Sequence, residues 1–130
     1  MGKINSRQKG CRGERMFAQQ LREHGYEAER GQQHSGGVDS PDVKTNMQGC
    51  HWEVKFVEKL NLHSAMEQSK RDAGKDEMPL VAHKRSREEW LVTMRFEDWI
   101  KLYKGYEAHN AFLDDFGNLC IFQEQKGQIE

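Results

Sequence analysis

The chain holds little that would bind a metal through sulfur or imidazole, and nothing that would span a bilayer. Its three cysteines, Cys11, Cys50 and Cys120, are scattered without a CxxC spacing. Neither a zinc site nor a disulfide framework is indicated, and reduced thiols are expected. The six histidines include no HxxxH pair; His51 shares a strand face with Glu53 and could lie near the same site, but a surface position is expected for it. No apolar run approaches the roughly 20 residues needed to cross a membrane. The opening Met1-Gly2-Lys3-Ile4-Asn5 leads into no signal-peptide core, which points to a cytoplasmic protein. Internal repeats, low-complexity linkers and a phosphate-binding GxGxxG are also missing; Gly36-Gly37 belongs to a polar loop.

No excess of one charge announces a nucleic-acid partner either, since 20 Lys+Arg meet 21 Asp+Glu for a formal charge of -1. The distribution says more. Lys3, Arg7, Lys9, Arg12 and Arg15 stand against Glu14 in the opening segment, whereas the stretch after Tyr103 is acidic. A basic amino-terminal segment can track phosphates through salt-sensitive contacts, with Lys9, Arg12 and Arg15 as candidates; a merely soluble terminus is the competing reading. A chain of 130 residues is large enough for one core and one sheet.

What is present centres on Ser40-Pro41-Asp42 and, eleven residues on, Glu53-Val54-Lys55. The run His51 to Val57 alternates, placing Glu53 and Lys55 on one strand face about 7 Å apart. Trp52, Val54 and Phe56 face the other way as a core side. Two carboxylates from neighbouring strands can hold Mg²⁺, or Mn²⁺ in its place, as hard oxygen ligands. Asp42 and Glu53 are the candidates. A lysine beside the ion can orient an attacking water or offset charge on a phosphoryl transition state, which is the role open to Lys55. Each piece alone has a plainer reading. Ser-Pro-Asp opens turns, and a Glu-x-Lys pair on a strand is usually a solvated ion pair worth about 0–1 kcal/mol.

Two more polar residues shift the balance. Glu14 lies on the apolar stripe of a helix expected from Cys11 to about His24, with Phe17, Ala18 and Leu21. A carboxylate aimed at a core needs a partner or an ion, so Glu14 is a third candidate ligand, against the alternative of a simple first-turn acid. Asn61 caps a second helix to about Gly74, on which Ala65, Gln68, Ser69, Asp72 and Ala73 share a face. Those side chains are small enough for close approach to a sheet, from which Gln68 could reach Lys55, a metal-bound water or a phosphate; a solvated glutamine is the alternative.

Strands are expected near Tyr26–Arg30, Asp42–Thr45, Cys50–Val57, Leu80–Lys84 and Trp90–Met94, with a last helix from Phe96 to about Tyr103. The polar stretch Gly31 to Gly37 reads as a flexible loop that could touch DNA, Ser35 included. From Phe112 to Phe122 two apolar segments flank Asp114-Asp115-Phe116-Gly117-Asn118, a candidate hairpin. The expected organisation is a core over residues 1–103 and an extension over 104–130.

In this order, Glu14, Pro41-Asp42, Glu53-Val54-Lys55 and Gln68 resemble the motifs of the PD-(D/E)xK nuclease superfamily, in particular archaeal Holliday junction resolvases. Arg12-Gly13-Glu14 is similar to the resolvases' opening helix. Asp39-Ser40-Pro41-Asp42-Val43, Lys59-Leu60-Asn61-Leu62, Pro79-Leu80-Val81-Ala82-His83 and Trp90-Leu91-Val92-Thr93-Met94 resemble small phage and prophage endonucleases of that superfamily. The resemblance covers about Arg12 to Tyr103. It implies an α/β, restriction-endonuclease-like (αβββαβ) core with a central mixed sheet flanked by helices. It also implies a Mg²⁺-dependent endonuclease acting on DNA, on branched duplexes as a resolvase would, in a bacterial or phage-infected cell. Nicking or double-strand cutting without junction preference is the alternative, and a DNA-binding module without catalysis a third. Symmetric cutting of both strands requires two sites, hence an expected homodimer, with Phe112 to Phe122 contributing to its contact.

Overall fold

A computed structural model describes residues 6–31 and 41–115, in two compact units that meet in sequence at Arg95 and Phe96. The first unit is built in the order α1 (Ser6–Glu23), β1 (Ala28–Arg30), β2 (Val43–Thr45), β3 (Cys50–Phe56), α2 (Leu62–Asp72), β4 (Met78–Lys84) and β5 (Leu91–Met94). The five strands form one sheet in chain order. β1, β2 and β3 run as an antiparallel meander, β3 and β4 are parallel, and β5 returns antiparallel to β4. The sheet is therefore mixed, as expected. Its parallel step requires a crossover, and α2 is that crossover.

The two faces of β3 are covered by different helices. Trp52 and Val54 join Phe17, Ala18 and Leu21 of α1, Ala28, Val43, Leu80 and Ala82 in the apolar cluster. Phe17 meets Trp52 edge-on at 4.8 Å between ring centres and Trp90 at 5.0 Å, contacts worth about 0.5–1.5 kcal/mol each beyond burial. Under α2, Ala65 and Ser69 are buried, and the Ser69 hydroxyl donates to the Leu80 carbonyl at 3.0 Å. Small residues let the helix sit close, and Asn61 caps it by accepting the Ser64 N–H at 3.0 Å.

Three expectations are corrected. α1 begins at Ser6, not Cys11. Gly10 and Gly13 weaken the helix signal there, yet Gly13 has a packing reason: a Cβ on it would lie 2.6 Å from Cβ of Phe56. His51 is 1 % exposed, because α2 covers the strand face it shares with Glu53. The last helix does not stop at Tyr103: α3 spans Phe96–Asp115, so the expected hairpin does not begin at Phe112. Gly105 is tolerated inside this helix. The part of the expected hairpin after Asp115 lies outside the described residues, as do Ser35 and Asp39. In α3, considered by itself, Trp99, Tyr103 and Tyr106 form a ladder with ring centres 5.3 and 6.0 Å apart. Among the described residues no helix is long and apolar enough to cross a membrane.

Candidate active site

The register between β2 and β3 is short, pairing Val43 with Trp52. Just before it, Asp42 is fixed on three sides. Its N–H donates to the Trp52 carbonyl at 3.0 Å, its carbonyl accepts the Gly31 N–H at 2.8 Å, and its Oδ2 accepts the Val54 N–H at 2.9 Å. The carboxylate thus takes the place of a ladder carbonyl for β3. It is buried, and it sits beside Glu53, the next side chain on the other face of the strand from Val54.

Glu53 is 1 % exposed. Its Oε1 is fully buried and accepts no hydrogen bond; the Lys55 ammonium stands 3.5 Å away. Burial first, and then the adjacent Asp42 carboxylate, push the Glu53 carboxyl up to about 8, against a smaller downward pull from Lys55. Lys55 in turn donates to Gln68 Oε1 of α2 at 3.2 Å. That bond holds the ammonium between the helix and the carboxylates.

Glu14 reaches the same place from α1. It is buried at 7 % exposure, and its Oε2 accepts from Arg30 Nε at 2.6 Å. Burial raises its pKa while the Arg30 hydrogen bond lowers it. Glu14, Asp42, Glu53, Lys55 and Gln68 all line one cavity of about 300 Å³, completed by Lys9, Gly10 and residues 54–57. The five sequence candidates for the site are therefore neighbours. Among the described residues, however, no three side chains of the His, Cys, Asp and Glu types group as metal ligands. Asp42 and Glu53 form a pair, and Glu14 is engaged by Arg30.

Of the basic candidates, Lys9 lines the cavity and Arg12 lies over the Phe56 ring at 5.8 Å. Arg15 is elsewhere, lining a separate cleft with Lys84 and Trp90. Arg30 was missed by the sequence reading. Its signal was available: it shares strand parity with the buried Ala28, so it points toward the helix that carries Glu14.

The donor set suits a hard divalent cation. It consists of carboxylate oxygens only, and Glu53 Oε1 is buried without a hydrogen bond, 3.5 Å from the Lys55 ammonium.

No model of a known protein family matches the sequence, and no curated protein matches it. Among solved structures the chain is similar to the Holliday junction resolvase Hjc of Archaeoglobus fulgidus, at 29% identity over 66% of this chain and 72% of that chain, with a TM-score of 0.49.

Proposed function

We propose that this chain is a Mg²⁺-dependent DNA endonuclease that hydrolyses phosphodiester bonds, on branched duplexes by preference. The observation that carries the hydrolytic reading is that the buried Asp42 and Glu53 carboxylates line one cavity with Lys55, which stands 3.5 Å from Glu53 and is held by Gln68. Asp42 and Glu53 would hold the cation, and when bound it supplies charge neutralisation and polarisation of a phosphoryl oxygen. Lys55 orients the attacking water or offsets charge developing on the phosphate oxygens. Gln68 limits the rotamers of Lys55, so that little reorganisation is needed when substrate arrives. Glu14 acts at the rim through Arg30, whose guanidinium is suited to a phosphate. Lys9 and Arg12 meet the backbone, and Arg15 and Ser35 are further candidate contacts.

The branched substrate rests on the sequence resemblance, and it carries with it the homodimer and the contribution of the segment from Phe112 to that contact. The test uses labelled linear, nicked, flap and four-way DNA of matched length. Mg²⁺ or Mn²⁺ should support cutting, strongest on the four-way substrate, and Ca²⁺ should permit binding with little turnover, because the smaller ions demand stricter geometry. Equal cutting of all four substrates would favour the reading without junction preference. Binding without cutting in every metal would favour a non-catalytic module, and undiminished activity in EDTA would reject the metal. Light scattering that finds a monomer at micromolar concentration, with and without DNA, would remove the dimer.

A further inference from the structure

Phe56 follows Lys55 directly and faces α1, where the missing Cβ of Gly13 lets it seat. Three cations from two elements gather around its ring. Lys9 Nζ lies 5.1 Å from the ring centre, Lys84 Nζ 5.6 Å and Arg12 Cζ 5.8 Å. An aromatic ring attracts a cation over its face with about 0.5–1 kcal/mol at an exposed site, but three like charges around one ring also repel. The compensating acid is sparse. Glu58 stands 4.0 Å from Lys9 and already accepts the Ser86 N–H. Lys84 donates to the Arg85 carbonyl, not to a carboxylate. Arg85, the next cation along, is by contrast paired with Glu88 at 2.9 Å. The cluster adjoins the catalytic cavity, because Lys9 and Phe56 line both.

We propose that Lys9, Arg12 and Lys84, assembled on Phe56, form a clamp for a backbone phosphate next to the one being cut. The proposal rests on the nuclease reading above and adds to it a residue, Lys84, and a direction: the bound strand leaves the cavity over Phe56 toward the end of β4. The ring's role is to hold three flexible cations at one place before substrate arrives, which reduces the entropy lost on binding. A clamp of this kind recognises phosphate and not base, so it contributes equally to every sequence.

The experiment reads the salt dependence of binding. Anisotropy of a labelled linear DNA duplex is measured in EDTA over a range of KCl for the full chain and for Arg12→Met, Lys84→Met, the double variant, Lys84→Arg and Arg85→Met, with thermal melts confirming each fold. Each phosphate contact contributes about 0.9 to the slope of log affinity against log salt. Because the three cations share one phosphate, the double variant should lower the slope by about 1 and each of Arg12→Met and Lys84→Met by a part of that, while Lys84→Arg and Arg85→Met should leave it unchanged. Unchanged slopes in Lys84→Met and the double variant, with the full chain cutting DNA in Mg²⁺, would overturn the clamp and leave the nuclease reading standing. An equal slope loss in Arg85→Met would also overturn it, by showing that any nearby charge counts the same. A full chain that neither binds nor cuts DNA would remove the nuclease reading and the clamp with it.

Discussion

Glu14 and Glu53 line the same cavity, and both are buried, at 7 % and 1 % exposure. Their partners differ. Glu14 is bonded through Oε2 to Arg30 at 2.6 Å, whereas Glu53 Oε1 accepts no hydrogen bond and has a second carboxylate for a neighbour. Burial raises both, but for Glu14 the guanidinium works against burial, while for Glu53 the Asp42 carboxylate works with it. Glu14 stays raised even so, because Asp42 acts on it as well, but a guanidinium is hydrogen-bonded to its carboxylate, whereas Glu53 Oε1 has no such bond.

The largest effects should therefore follow from touching the Glu53 side. Asp42→Ala or Glu53→Ala should reduce cleavage to background with the fold intact. Lys55→Ala should cost roughly 10²–10³ in rate, as expected for one group that stabilises developing charge. Purified Glu53→Ala protein that cuts at near the wild-type rate would break the assignment.

A smaller effect should appear without any substrate. In EDTA, folded Glu53 keeps its proton up to about 8, while in the unfolded chain it ionises near 4.5. Between those values the folded state binds more protons, so stability is highest at the acid end of the window and falls as pH rises through it, by at most about 1.4 kcal/mol per unit. Denaturant titrations across pH 5 to 8 should show this decline. Glu53→Gln should flatten it, and Mg²⁺ should raise the melting temperature most at the alkaline end, where binding the ion needs no proton release. A decline that persists in Glu53→Gln but vanishes in Glu14→Gln would reverse the comparison.

Much of this was legible in the chain. Alternation placed β3 and its core side, the 3.6-residue spacing placed Glu14 with Phe17, Ala18 and Leu21, and Asn61 marked the start of α2. The side chains of α2 suggested close approach, and Gln68 does meet Lys55. What local pattern could not carry was burial from both sides. His51 and Glu53 look solvent-facing by polarity, and the crossover between parallel strands, which brings α2 onto β3 and β4, is not written in local pattern. Arg30 was missed for a related reason, since an ion pair across 16 residues has no periodicity of its own. The helices run on to Ser6 and Asp115 past Gly10 and Gly105, since a glycine weakens a helix signal whether or not the helix continues.

The smallest predicted effect tests whether Arg30 is what separates the two glutamates. Glu14→Gln keeps the shape of the side chain and an oxygen to accept from Arg30, but replaces a charged hydrogen bond by a neutral one. Because the Arg30 side chain is 36% exposed, solvent already screens the pair, and a stability loss of about 1 kcal/mol is expected. Cleavage should stay within several-fold, as Asp42, Glu53 and Lys55 are untouched. Arg30→Met makes the sharper variant, because it leaves Glu14 buried without its cation. Glu14 should then hold a proton as Glu53 does, and the decline of stability with rising pH in EDTA should become steeper than in the wild type. If Arg30→Met instead keeps the wild-type pH profile, the guanidinium is not what distinguishes Glu14, and Glu14 regains its place as a candidate third ligand.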